Sequence, residues 1–230
     1  MTNLPPTETA PTPGESRVST KQRLVEAAIP LFAEGGLDNM SVRNVNQAAG
    51  VANQSAVYYH FGDMWGLVTA ALDHALTPYV HGVHNLLDVI EAPQQAESTP
   101  ELGAIVEALI RPMVHIALQS GGLPRIKFIA RMIGGSGDRG RIVVAEAFRE
   151  LAVRCNRMVH ASLPELGEEG ASIKVLFAFN SVINIISDIG LEKYWPLSTQ
   201  DTDRIDRYLH DYIEGGIRFS SRPFSRHGDA

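Results

Sequence analysis

Apolar residues recur along most of this chain at the three-and-four spacing of a helix face. Leu24, Ala27, Ala28, Leu31 and Phe32 form one such stripe, predicting an amphipathic helix that Thr20 can cap and that Gly35-Gly36 stops. Pro30 lies inside it, deletes one backbone hydrogen bond and predicts a kink. Ser41 offers an N-cap to a second, short helix with Val42, Val45, Ala48 and Ala49 on its inner side, ended by Gly50. Asn53 offers the next cap, ahead of a third helix whose inner side is Ala56, Val57 and Phe61. Asp63 caps a longer fourth helix carrying Trp65, Leu67, Val68, Ala71, Leu72 and Ala75.

Beyond Gly82 the pattern predicts helices at roughly 83–91, 101–119, 124–134, 140–162, 170–189 and 201–220. The breaks fall at 92–100, 120–122, 134–140, 164–170 and 195–199, each rich in Gly, Pro or Ser. No stretch alternates with β-branched enrichment, and no repeat of 20–50 residues is present. The expected fold is therefore all-α. A three-helix bundle (17–66) is joined through a long fourth helix to a larger helical domain (67–221). Residues 1–16, with four prolines, read as a disordered arm, and 222–230 as a flexible tail.

Composition narrows the class. Of 230 residues, 44% are hydrophobic and 20% charged, within the soluble globular range. Apolar runs such as Ile183 to Ile186 are too short to cross a bilayer, so no membrane partner is expected. No basic start precedes an apolar core at the N-terminus, which argues against a secretory signal. The single Cys155 excludes an internal disulfide and a cysteine-based zinc site, and the expected setting is a reducing cytoplasm.

Charge alone does not suggest nucleic acid, because the net charge is −6. Residues 17–62 are nonetheless locally positive: Arg17, Lys21, Arg23 and Arg43 outnumber Glu26, Glu34 and Asp38. A short helix ending at Gly50 and followed at once by another is the helix-turn-helix arrangement. Its second member fits the major groove while the first braces across the backbone.

The residues 20–72 resemble the TetR family of tetracycline-repressor-like regulators. The resemblance rests on the Ala27-Ala28-x-x-Leu31-Phe32-x-x-Gly35-Gly36 helix end and the Ser41-Val42 helix start. It rests equally on the Ala49-Gly50-Val51 turn and on Tyr58-Tyr59-His60-Phe61 closing the third helix. It implies a homodimer that binds a palindromic operator in double-stranded DNA and releases it for a small-molecule effector.

Within the third helix Val57 and Phe61 face inward, which leaves Gln54, Ser55, Tyr58, Tyr59 and His60 for DNA. Gln54 suits adenine and Ser55 is permissive, so these two are the expected base readers. Tyr58, Tyr59 and His60 are expected on phosphates, as the resemblance also implies. Asn53 caps beside them, and Thr20, Lys21, Ser41 and Arg43 lie near helix starts where hydroxyls and cations grip the backbone.

Three departures from the family pattern stand out. Ala52 looks like one extra residue between Gly50 and Tyr58. Met64 occupies the place of a phosphate-gripping lysine, with Trp65 where an acid is common. The domain is also barely basic. Together they predict weaker, more salt-tolerant operator binding.

The resemblance implies that the last two long helices pair with those of a second subunit. Ile173, Ile205, Tyr208, Leu209, Tyr212 and Ile213 are the expected dimer seam. An apolar effector pocket with a few polar groups is expected from Met113, His115, Phe128, Arg131, Met132, Phe148, Phe177, Asn180 and Asn184. A small apolar or acyl-type effector suits that set.

Other signals weigh less. His74, His81, His84 and Asp88 share one helical face, so a helical enzyme or metal-binding protein using His81 and His84 is the alternative reading. Residues 135–140 spell G-x-G-x-x-G, but a dinucleotide site needs a strand before it, and helical sequence precedes it here. No nucleophile elbow or acid–base pair is present, so neither catalysis nor a cofactor is expected.

Overall fold

The computed structural model describes residues 18–92, 99–189 and 205–219, and no strand occurs among them. The expected boundaries at 1–16 and 222–230 lie outside the described residues. Helix α1 is Thr20–Gly35, α2 is Val42–Ala48, α3 is Ala56–Phe61 and α4 is Met64–Ile90. Then follow α5 (Leu102–Leu118), α6 (Gly122–Gly135), α7 (Gly137–Ser162), α8 (Gly167–Ser187) and α9 (Ile205–Arg218).

The caps are set locally. Ser19, rather than Thr20, caps α1, its Oγ accepting from the Gln22 N–H at 3.2 Å. Ser41 caps α2 through the Asn44 N–H at 3.0 Å, and Asp63 caps α4 through the Gly66 N–H at 2.7 Å. Pro30 is tolerated because it lies on the exposed side of α1, where the carbonyl it leaves without a donor is open to solvent.

One expected break is absent and another is narrower than its glycines suggest. Helix α4 runs unbroken through Gly82, which marks a close approach of helices. A Cβ added at Gly82 would lie 2.8 Å from the Cβ of Pro112 on α5. The glycine-rich 134–140 stretch is nearly all helical, leaving only Ser136 between α6 and α7.

One buried cluster unites the short N-terminal helices with the larger helical domain. Phe32 of α1 and Phe128 of α6 meet at 4.7 Å between ring centroids, both sealed from solvent. Tyr79 on α4 is also fully buried and donates its hydroxyl to the Leu109 carbonyl at 3.1 Å. Burial holds that phenol well above its ordinary pKa, so it remains a donor.

Pro164–Ser187 is the one segment among the described residues long and apolar enough to cross a membrane by length and composition. Its apolarity has another source. The side with Val175, Ala178, Val182 and Ile186 is core, while Ile173, Leu176, Phe177 and Ile185 face outward.

Candidate DNA-reading surface and effector cavity

The third helix is anchored by Ala56 and Val57, which are buried, and this orients its remaining side chains outward. Gln54, Ser55, Tyr58 and Tyr59 are exposed, Tyr59 to 83% of its full surface. An aromatic so exposed adds nothing to the core and is available to a ligand. His60 is half-buried and stacks edge-on against Tyr59 at 4.9 Å.

The residue count before α3 has a local explanation. Asn53 does not cap the helix directly; its Oδ1 accepts from the Ser55 N–H at 2.9 Å, closing a turn that delays the helix to Ala56. Buried Asn46 of α2 donates to the Asn53 carbonyl at 3.2 Å and ties this turn to the first helix of the motif. Arg23 supports the opposite side, donating from Nη1 to the Ala49 and Gly50 carbonyls, both at 3.3 Å. Neither Asn46 nor Arg23 was expected as a scaffold. The signal available was a polar residue on the inner face of α2, which must find a partner when buried.

Lys21 is brought to the recognition helix, its Nζ 5.9 Å from the Phe61 ring. Ser41 and Arg43 are exposed at the start of α2, and the Ser41 hydroxyl hydrogen remains available to donate while its oxygen caps. Thr20 is half-buried and turned towards Arg23, whose Nη2 lies 3.4 Å from its Oγ1. Met64 is half-buried against the core, and Trp65 is covered by the Arg139 guanidinium at 4.6 Å.

The expected effector residues do not form one pocket. Met113, Phe128 and Met132 are fully buried core. His115 is exposed beside Gln119 in a shallow groove between α4 and α5. Arg131 and Asn184 line a second, more polar cavity bounded by α1, α6 and α8, and Arg131 there holds the end of α1. Its Nε donates to the Ala33 carbonyl and its Nη2 to that of Glu34, each at 3.2 Å. Phe177 and Asn184 face outward, and Asn184 and Asn180 each donate back to their own helix, at Asn180 and Leu176.

Phe148 and Asn180 do line a common cavity, of about 580 Å³ between α7 and α8. Its walls are mostly apolar, with Val144, Phe148, Val175, Phe179 and Ile183, and Arg141, Asn156 and Ser172 at the edges. Phe179, not Phe177, is the phenylalanine of α8 that enters it, packing on Phe148 at 5.2 Å.

On the outer face, Ile173, Tyr208 and Tyr212 are exposed, whereas Leu209 and Ile213 turn into the core at 3% exposure each. Of the expected seam residues, Leu209 and Ile213 therefore belong to the core of this chain, while Ile173, Tyr208 and Tyr212 face outward. The side chain of Ile205 lies outside the described residues. Lys174 closes the α8–α9 contact by donating to the carbonyls of Gly216 and of Phe219, the latter at 2.8 Å.

Of the three histidines on that face, His84 is tied to an ion-pair network. His84 Nδ1 lies 3.0 Å from the Arg154 guanidinium, which also binds Asp88 at 2.6 Å and Glu91 at 2.7 Å. Among the described residues no group of three or more His, Cys, Asp and Glu is placed to hold a metal. Cys155 is sealed, and burial pushes its thiol up to about 12, so it is no nucleophile at neutral pH.

Residues 24–71 match the family model of bacterial regulatory proteins, tetR family. Residues 107–216 match that of the tetracyclin repressor-like C-terminal domain. A probable HTH-type transcriptional regulator of Bacillus subtilis, YttP, is 29% identical over 85 residues. That alignment covers 37% of this chain and only 39% of the relative's length. The fold is shared with solved regulators. AmtR of Mycobacterium smegmatis is 19% identical with a TM-score of 0.58, over 92% of each chain. SmeT, the repressor of a Stenotrophomonas maltophilia multidrug efflux pump, is 17% identical with a TM-score of 0.58, over 86% of this chain and 89% of its own.

Proposed function

The chain belongs to the tetR family of bacterial transcriptional regulators, and from that premise we propose that it is a dimeric repressor whose hold on a palindromic operator is released by a small, largely apolar effector. One observation carries this reading. A helix anchored by two buried residues presents Tyr58 and Tyr59 to solvent beside Lys21, and the turn leading into it presents Gln54 and Ser55.

The roles follow from chemistry. Gln54 has the paired donor and acceptor that adenine offers in the major groove. Tyr58, Tyr59, Lys21, Ser41 and Arg43 donate to phosphates and fix the register. With few cations in the domain, few counterions are released, so affinity falls gently with salt.

Two copies are needed because one six-residue recognition helix reads too few base pairs. A twofold pair through α8 and α9 sets two recognition helices at a fixed spacing, and a palindromic operator mirrors it.

The α7/α8 cavity is the effector site in this account. Its wall α7 starts with Arg139 stacked on Trp65 at the head of α4. Helix α6, one residue before α7, carries the Arg131 grip on α1. An effector that favours a different α7 position therefore shifts both attachments of the DNA-binding helices. Release requires only that it bind that conformer more tightly.

Selection of duplex DNA from a random pool at physiological salt tests the function. A single palindromic motif is the expected product, and recovery of no enriched motif refutes the reading.

A further inference from the structure

The polar cavity where α1 meets α6 and α8 has a volume of about 710 Å³ and opens to solvent. Its α6 wall runs from Leu123 through Lys127, Ala130 and Arg131 to Gly134. Small residues keep that wall open: a Cβ added at Gly134 would meet nothing within 4 Å. The opposite walls come from Ala33 and Glu34 of α1 and from Asn184, Ser187 and Asp188 at the end of α8.

Charge sets this cavity apart from the apolar one between α7 and α8. Lys127 is exposed on α6, Glu34 in the last turn of α1, and Asp188 at the C-terminal cap of α8. Among the described residues these three form no ion pair, with one another or with any other group. Arg131, one helical turn beyond Lys127, is by contrast committed through Nε and Nη2 to the carbonyls of α1. The cavity therefore carries one uncommitted cation and two uncommitted acids.

That set selects a ligand by its charges. Both acids stand at helix C-terminal ends, where aligned peptide dipoles already place negative charge and a cation is stabilising. The Asn184 Oδ1 is a further acceptor on the same side, since its amide nitrogen donates to Asn180. A polyamine would meet Lys127, and a simple carboxylate would meet two like charges. A molecule with one carboxylate and two cationic groups complements all three residues.

We propose that the cavity between α1, α6 and α8 binds a basic amino acid, and that the bound molecule ties α1 to the larger helical domain. Its carboxylate pairs with Lys127, and its two cationic groups pair with Glu34 and Asp188. The site takes one wall from α1 and two from the larger domain, so it is complete only while α1 keeps the attachment that Arg131 makes. The consequence for DNA rests on the reading that release shifts this attachment. A ligand here then opposes release and raises operator affinity.

The test is calorimetric titration of the full-length protein with L-lysine and three analogues that each lack one group. These are 6-aminohexanoate without the α-ammonium, cadaverine without the carboxylate, and norleucine without the side-chain ammonium. L-lysine is expected to bind at least about tenfold more tightly than any of them, the effect of one lost charge pair. Lys127→Gln is expected to erase the preference over cadaverine. Glu34→Gln and Asp188→Asn are each expected to erase the preference over one of the other two. All three positions are exposed, so the variants keep the fold. Absence of L-lysine binding, equal binding of the four probes, or equal L-lysine binding by wild type and variants overturns the site.

Operator affinity of the wild type is expected to rise about fivefold with saturating L-lysine, the lower end of allosteric coupling. An unchanged or lowered affinity with L-lysine bound overturns the tie to α1. Random-pool selection without L-lysine separates the two readings. A recovered motif with no L-lysine binding sinks this inference alone, whereas L-lysine binding with no motif sinks the regulator reading and leaves the site standing.

Discussion

Arg131 on α6 and Ala33 on α1 are 98 residues apart in sequence and joined by a 3.2 Å hydrogen bond from guanidinium Nε to carbonyl oxygen. The final turn of any helix leaves its carbonyls without intrahelical donors. In α1 the Phe32 carbonyl is closed by the Gly36 N–H, and those of Ala33 and Glu34 by Arg131. The end of α1 is therefore completed by the larger helical domain.

Replacing Arg131 with Gln removes both bonds and leaves the carbonyls to water. Because the guanidinium is exposed, the cost is about 1 kcal/mol, at the low end for charge-assisted bonds. Urea unfolding is expected to shift by that amount. Operator affinity measured by fluorescence anisotropy should persist, with a weaker response to effector.

Gly66 stands in the first turn of α4, where an added Cβ would lie 2.0 Å from the Phe61 carbonyl oxygen. Backbone cannot yield as a flexible side chain can, so Gly66→Ala must push α3 away from α4. A loss of about 1–3 kcal/mol is expected, the range for overpacking. DNA binding should fall further than Asp63→Ala produces, since that variant removes only a cap worth about 1 kcal/mol. Thermal unfolding and anisotropy together check this.

Tyr59 is nearly free of the core, so Tyr59→Ala is expected to change stability by less than about 0.5 kcal/mol. Operator affinity should nonetheless drop, and drop equally for every sequence, as loss of a phosphate contact requires. Gln54→Ala should behave differently, relaxing the preference at one base pair by about 1–3 kcal/mol. Selection from the random pool with both variants distinguishes the two roles.

Glu91, at the end of α4, is held below its ordinary carboxylate range. Burial pushes it up, but hydrogen bonds from Arg154 and Arg157 and their charges outweigh that. A carboxylate with a depressed folded pKa stabilises above its unfolded value and loses that contribution as pH falls through the folded one. Glu91→Gln should therefore destabilise the protein at pH 7, with the difference from wild type fading below the ordinary value of 4.5. Urea midpoints across pH 3 to 7 give the comparison.

The all-helical fold and the exposed tyrosines were legible because both rest on local periodicity. Ala56 and Val57 mark the inside of α3, so Tyr58 and Tyr59 follow on the outside. What depended on distant partners was not legible. Gly82 reads as a stop in one dimension, yet its function is to admit Pro112, thirty residues later. Arg131 beside Phe128 and Met132 read as a pocket cation, because nothing local shows that α1 ends beside it. Phe177 and Phe179 are both apolar candidates on α8, and two residues of helical rotation send one outward and the other into the cavity. The inward turn of two expected seam residues was legible: Leu209, Ile213 and Ile217 repeat every four residues, and Tyr208 and Tyr212 lie one position away from that core stripe.

The central claim is that two recognition helices are presented together by an α8/α9 dimer. Hydroxyl-radical footprinting of the wild-type protein on its selected duplex tests it most directly. The account predicts two protected patches related by a twofold axis, centred about 34 Å or a multiple of it apart. A single patch, or uniform protection along the duplex, would contradict it.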